Sequence, residues 1–255
     1  MNIAIVTGAS SGLGAEYVRQ LDTFECFNEI WVIARRQDRL RALQEQVKTR
    51  LRPVACDLTK EESVRQLNAL LRKKRPNVRV LINCAGFGKI GSYDHIPLEQ
   101  CQQMIDLNCR AAVTVTQLVL PYMHRGGRIL EICSTSAFQP LPCMNVYSAS
   151  KAFLYRYSRS LANELTGTGI RVTAVCPFWV RGTEFISAAK NTDGSHQVNN
   201  FPLSSRREDV VRRSLQDSRQ GHTVSTPGFA CTLHRILAKL LPGSLMMAVW
   251  NQLRR

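Results

Sequence analysis

Ile3-Ala4-Ile5-Val6-Thr7-Gly8-Ala9-Ser10-Ser11-Gly12-Leu13-Gly14-Ala15-Glu16-Tyr17-Val18 is the stretch on which the fold turns. The run from Ile3 to Thr7 is apolar, β-rich and closed by glycine, which predicts a buried strand. Ala15 onward reads as a helix. The join has the spacing Gly-x3-Gly-x-Gly, not the Gly-x-Gly-x-x-Gly dinucleotide fingerprint. Glycines here allow a tight turn and let backbone approach a pyrophosphate at the positive end of the next helix. A plain strand–helix turn would carry the same residues, so this segment alone leaves both readings open.

Outward from that turn the pattern repeats. Further β-rich runs lie at Ile30–Ala34, Arg52–Ala55, Val78–Asn83, Arg128–Cys133 and Arg171–Cys176. Helical periodicity fills the gaps: Leu40, Leu43 and Val47 follow Asp38, and Val64, Leu67, Leu70 and Leu71 follow Thr59, an expected helix cap. Alternating helices and continuously apolar strands imply an α/β fold with a doubly wound parallel sheet, covered on both faces. No repeat, linker or low-complexity stretch divides the 255 residues, so one domain over 1–255 is expected. No apolar run approaches the roughly 18 residues of a membrane span. Met1-Asn2-Ile3-Ala4 lacks the basic start of a secretory leader.

Composition narrows the function classes. The nine cysteines are odd in number and form no Cys-x-x-Cys pair, and the five histidines are scattered. Free, mostly buried thiols in a reducing cytoplasm are expected, and no metal site. The net charge of +15 is concentrated in residues 35–75 and 181–255, with excesses of 8 and 6. Such an excess attracts nucleic acid, anionic lipid or an anionic small molecule. No zinc-finger spacing or aromatic ribonucleoprotein signature supports nucleic acid. Arg72-Lys73-Lys74-Arg75 instead closes an expected helix, where cations favour the C-terminal dipole.

Two constellations carry chemistry. Strand two ends at Ala34 and continues Arg35-Arg36-Gln37-Asp38. An acidic residue in this region grips the ribose 2′-hydroxyl of NAD, whereas arginine accommodates the 2′-phosphate of NADP. The arginines favour NADP(H); Asp38 reads as the N-cap of the following helix rather than a ribose ligand. The second constellation is Ser134, Tyr147 and Lys151. The phenol and ammonium stand four residues apart, so on a helix they share a face. A nearby cation stabilises a phenolate, so Lys151 is expected to lower the Tyr147 pKa toward working pH. Ser134 follows the fifth strand, at the carboxyl edge where open parallel sheets bind ligands.

The Thr7–Gly14 turn, Asn83-Cys84-Ala85-Gly86, Asn108, Ser134 and Tyr147-x-x-x-Lys151 together resemble the short-chain dehydrogenase/reductase family, over roughly residues 1–183. The resemblance implies a Rossmann-type sheet of seven parallel strands, a nicotinamide cofactor and ketone–alcohol chemistry. It makes Tyr147 the general acid in reduction and base in oxidation, and Lys151 the group that tunes Tyr147 and holds the nicotinamide ribose. Ser134 would bond the substrate oxygen, and Asn108 would position a water in the proton relay. Cofactor contacts are implied for Gly8, Ser10, Ser11, Gly12, Leu13, Gly14, Arg35, Arg36, Asp57, Leu58, Asn83, Ala85, Gly86, Pro177, Val180 and Thr183, besides Tyr147 and Lys151. Asp57 matches the adenine-binding aspartate. The segment after strand six departs from the family: Cys176-Pro177-Phe178-Trp179-Val180 replaces Pro-Gly, and Gly182 stands where a cofactor threonine is usual, with Thr183 one place later.

Within the family, Thr116–Pro121, the Pro-Phe-Trp-Val run and the C-terminus are similar to 3-oxoacyl and hydroxysteroid reductases. Residues 182–205 are expected to form a substrate lid. Residues 229–255 are expected to form a substrate or partner segment, with Phe229, Leu233, Ile236, Leu237 and Leu240 on one helical face. Beyond Pro242-Gly243, Leu245–Trp250 reads as an apolar, flexible stretch. A bulky hydrophobic ketone such as a steroid or 3-oxoacyl group is the expected substrate. A small hydroxy compound is the alternative within the enzyme class. Outside it stands a non-catalytic dinucleotide-binding regulator, which would not need the Tyr–Lys–Ser–Asn set. A homodimer or homotetramer is expected through Pro97–Met123 and Val146–Leu165, with weak membrane-surface contact through the C-terminus.

Overall fold

A computed structural model describes residues 1–199, 201 and 203–254; residues 200, 202 and 255, in the expected lid and tail, lie outside the described residues. The first half comprises β1 (Asn2–Thr7), α1 (Gly12–Phe24), β2 (Glu29–Ala34), α2 (Gln37–Ala42), β3 (Leu51–Ala55), α3 (Glu61–Lys74) and β4 (Asn77–Asn83). α4 (Leu98–Ile105), a π-helical segment (Asp106–Ala111), α5 (Ala112–Val119), β5 (Arg128–Ile132), α6 (Asn145–Glu164) and β6 (Arg171–Val175) follow. The chain ends in β7 (Val180–Arg181), α7 (Phe185–Ala189), β8 (Ser205–Arg206), α8 (Arg207–Gln220), β9 (Val224–Ser225), α9 (Phe229–Leu240) and α10 (Gly243–Leu253).

Seven parallel strands form one sheet in the order β3-β2-β1-β4-β5-β6-β9. Side chains alternate between its faces, so Ala4 and Val6 join one core layer with Tyr17 and Leu21, while Ile3 and Ile5 join the other with Leu67 and Val115. Every residue of β2 and of β5 is buried, as expected of strands covered on both sides. The order reverses between β1 and β4, which opens a crevice at their carboxyl ends. This is the Rossmann-type arrangement the glycine turn pointed to.

Several local expectations are corrected. Asp38 is not the N-cap of α2: Arg36 holds that place and Asp38 lies in the first turn. The helix also ends at Ala42, and Leu43–Gln46 tighten into a 3-10 turn. Thr59 is not the cap of α3, which starts after Lys60; its hydroxyl instead donates to Asp57 Oδ1 at 2.7 Å. The long segment after Pro97 is broken by the π-helical turn and by a 3-10 turn at Leu120–Tyr122. Leu245–Trp250 is not an irregular flexible stretch but the middle of α10, whose Met246 and Trp250 are buried. On α9 Cys231 is buried, Leu233 and Leu237 are partly exposed along the cavity wall, and Phe229 and Leu240 are 82% and 73% exposed.

Candidate active site

One cavity of about 1040 Å³ runs along the carboxyl edge of the sheet. At one end the turn between β1 and α1 presents Gly8, Ser10, Ser11, Gly12, Leu13 and Gly14, with Arg35, Arg36, Asp57 and Leu58 beside it. The glycines are required by contact as well as by conformation. Gly8 has φ +67°, and a Cβ there would lie 2.8 Å from the Ala85 nitrogen; a Cβ on Gly14 would strike the Gly8 carbonyl. Thr7 ties this turn to the next strand, its hydroxyl accepting from the Cys84 and Ala85 nitrogens at 3.0 and 3.1 Å. Ser11 is the N-cap of α1 without using its side chain, so unpaired helix N–H groups face the cavity.

The middle is formed by Ala85, Gly86, Ser134, Tyr147, Lys151, Pro177, Val180 and Thr183. β5 delivers Ser134, whose hydroxyl oxygen accepts from the Ser136 nitrogen at 3.1 Å. α6 presents Tyr147 and Lys151 one turn apart, both buried, with Nζ 5.9 Å from the phenol ring centre. Lys151 Nζ donates to the Ile132 carbonyl at 2.7 Å, which anchors the ammonium at the end of β5. The Tyr147 phenol is governed first by its burial. Burial pushes the phenol above its ordinary value, with the Ser134 and Ser136 hydroxyls pulling the other way. Burial likewise lowers the Lys151 pKa. The phenol is therefore held protonated, which suits an acid.

Two expected site residues do not reach the cavity. Asn83 is buried behind it and donates from Nδ2 to Thr116 Oγ1 and Glu131 Oε1, each at 2.8 Å. Asn108 sits in the π-helical turn, where both ends of its amide are engaged. Oδ1 accepts from the Phe87 nitrogen at 3.0 Å, while Nδ2 donates to the Phe87 carbonyl at 2.9 Å and to Ser150 Oγ at 3.0 Å. Both brace the wall that carries Ala85 and Gly86. Thr183 lies against the glycine turn, 3.4 Å from where a Cβ on Gly12 would stand, and donates its hydroxyl proton to the Val180 carbonyl at 2.9 Å. Asp57 accepts from the Thr59 nitrogen at 3.0 Å, which keeps its carboxyl below the ordinary range against the cost of burial.

The far end of the cavity is apolar. Leu141, Met144, Phe178 and Trp179 meet Leu233, Leu237 and Leu241 from α9 and its end, and Met246, Val249, Trp250 and Leu253 from α10. Trp250 Nε1 donates to the Pro142 carbonyl at 2.9 Å, docking α10 over the loop before α6. Phe185 of α7 packs 5.4 Å from the Tyr147 ring. Three contributors were not foreseen. Glu184 pairs with Arg36 and Arg39. His234, held to Gln139 Oε1 through Nε2 at 3.0 Å, lines the apolar end. Glu131 lies fully buried beneath Asn83, and only this one left a signal, as the sole acid in the apolar run Ile129–Cys133.

The family described as short chain dehydrogenase matches residues 2–194. The NADP-dependent 3-hydroxy acid dehydrogenase of Escherichia coli strain K12 is 33% identical over 196 residues, spanning 75% of this chain and 78% of that protein. A short-chain dehydrogenase from Sphingobium yanoikuyae, solved in complex with NADPH, superposes with a TM-score of 0.79 at 26% identity, covering 96% of this chain and 95% of the other. The bulky-bulky ketone specific alcohol dehydrogenase from Comamonas testosteroni superposes at 0.74 with 25% identity, covering 96% and 94%. With the glycine turn, the Ser134–Tyr147–Lys151 set and the sheet order in place, the chain belongs to the short-chain dehydrogenase family.

Proposed function

We propose that this chain is an NADP(H)-dependent oxidoreductase that interconverts a bulky hydrophobic ketone and its secondary alcohol. The observation that carries the reading is the position of Ser134, Tyr147 and Lys151, between a glycine-lined, arginine-bearing end and an apolar end of one cavity. The residues present fit the cofactor. Close-packed glycines leave room for backbone to meet a pyrophosphate, and Arg35 and Arg36 offer forked donors suited to a 2′-phosphate. A structural neighbour solved with NADPH and an NADP-dependent relative support the same choice.

When bound, NADPH supplies the hydride for the carbonyl carbon. Tyr147, kept protonated by burial, gives its proton to the carbonyl oxygen. The Ser134 hydroxyl donates to that oxygen as negative charge develops there. Lys151 carries the positive charge beside them and has donors beyond the one spent on Ile132 to hold the ribose. In this reading the Asn108 side chain, committed to Phe87 and Ser150, holds the wall that carries Ala85 and Gly86.

The apolar end, with Phe178, Trp179 and the two C-terminal helices around it, favours a steroid or long 3-oxoacyl substrate over a small polar one. A graded ketone panel, followed by NADPH and NADH absorbance, tests the reading. Rates rising with ketone size, and with NADPH well above NADH, are expected. Faster turnover of short hydroxy or oxo acids would overturn the substrate class, and no turnover of any carbonyl would favour a binding protein. Self-association through α4–α6 is supported by outward Leu98, Ile105 and Phe153, and light scattering showing only a 28.7 kDa monomer would exclude it. The outward apolar residues of α9 and α10, including Phe229, Leu240 and Leu245, support weak contact with an anionic membrane surface. Sedimentation with anionic vesicles, compared with neutral ones, reads it out.

A further inference from the structure

Arg36 is already engaged by an anion from its own chain. Its Nη2 donates to Ser11 Oγ at 2.9 Å and to Ser10 Oγ at 3.1 Å, so one edge of the guanidinium is held to the glycine turn. Its Nη1 donates to Glu184 Oε2 at 3.1 Å, and Arg39, one turn further along α2, binds the other oxygen, Oε1. One carboxylate thus bridges two guanidinium groups beside two serine hydroxyls that accept from Arg36 and retain their own protons to donate. That donor set matches a phosphate as well as it matches a carboxylate.

The segment that brings Glu184 here follows β7. Gly182 takes φ +75°, where a side chain would be strained, and Thr183 then rests against the glycine turn. Glu184 precedes α7, whose Phe185 packs on Tyr147. The carboxylate is about half exposed and therefore exchangeable, unlike the buried residues of the catalytic centre.

We propose that Glu184 is an internal stand-in for the cofactor's 2′-phosphate, a specificity-determining residue that occupies the Arg36–Arg39 site until that phosphate displaces it. The inference rests on the reading of Arg36 as a 2′-phosphate ligand. Displacement frees the start of α7, so the segment beside Tyr147 responds to the phosphate that distinguishes NADPH from NADH. A dinucleotide without the phosphate leaves the Glu184 bridge intact.

The test needs no turnover. Calorimetry on the whole protein compares adenosine 2′,5′-bisphosphate with 5′-AMP, which differ only in the 2′-phosphate, for the wild type and Glu184→Gln. The wild type should prefer the bisphosphate. Glu184→Gln should raise bisphosphate affinity about fivefold or more, because a competing charge is removed, and leave AMP affinity within about twofold. In the wild type, amide hydrogen exchange in Phe185–Ala189 should quicken with the bisphosphate and not with AMP. Equal wild-type binding of both ligands would overturn the Arg36 reading and this inference together. A wild type that prefers the bisphosphate while Glu184→Gln leaves the ratio unchanged, or lowers it, would overturn the stand-in alone.

Discussion

Replacing Glu131 by glutamine should remove a pH dependence of stability whose size follows from its surroundings. Glu131 is 0% exposed in the middle of β5, accepts from Asn83 Nδ2 and Thr116 Oγ1 at 2.8 Å each, and has its carboxyl pushed up from 4.5 to about 7 by burial. The two hydrogen bonds and the Lys151 charge oppose that push without cancelling it. In the folded state Glu131 keeps a proton that the unfolded chain releases near 4.5, so stability falls as pH rises from about 4.5 to 7 and levels off above. At 1.36 kcal/mol per unit, the ionised side chain costs the fold roughly 3 kcal/mol at alkaline pH. Glutamine is nearly isosteric, and any penalty for its extra donors is the same at every pH. The difference between variant and wild type should therefore move by roughly 2.5 kcal/mol in the variant's favour between pH 5 and 8.5, or about 5–10 °C in Tm for a chain this size. Urea titrations at several pH values, with m checked for constancy, measure it. Parallel curves for the two proteins would refute the claim that Glu131 titrates inside the fold.

Tyr147→Phe should abolish turnover while NADPH binding, followed by fluorescence, stays within about twofold, since only the transferable proton is lost; a variant keeping most of its kcat would remove Tyr147 from the chemistry. Because burial holds the phenol above its ordinary value, its basic form grows with pH, and the alcohol-oxidation rate should climb through pH 9 by up to about tenfold per unit while reduction stays flat. An oxidation profile that plateaus near pH 7 would show that Lys151 outweighs burial after all. Ending the chain at Leu241 removes Met246, Val249, Trp250 and Leu253 from the cavity wall. It should lower kcat/KM for long apolar ketones about tenfold more than for short ones, and an unchanged ratio in a folded truncation would take α10 out of substrate recognition.

The fold was legible because strands and helices alternate with different periods, and the central strands are largely apolar, whereas β3 near the sheet edge alternates buried with more exposed residues. Six of the seven sheet strands announce themselves in this way; β9, with two residues at the sheet edge, carries no pattern of its own. The site was legible where a residue's type limits what it can do at a given place. Glycines at a strand end, arginines after the second strand and a tyrosine one helical turn from a lysine each leave few alternatives. Cap positions were less legible. Asp38 and Thr59 are both good cap formers by type, yet the chain enters each helix one or two residues away, and Thr59 gives its hydroxyl to Asp57 instead.

What the sequence could not show is where a side chain spends its hydrogen bonds once neighbours arrive from distant segments. Asn83 and Asn108 stand at the expected positions, yet both amides turn away from the cavity because Glu131, Thr116, Phe87 and Ser150 take them up. Lys151 shares a helix face with Tyr147 as the spacing requires, and still its nearest acceptor is a carbonyl of β5. The same holds for Glu184, which lies 148 residues from Arg36 in sequence and meets it only because Gly182 turns the chain back onto the glycine loop. Each of these contacts joins segments that the parallel sheet order brings together at one edge. A local pattern can place a functional group at that edge, but its charge and orientation there depend on burial and on partners contributed by other strands.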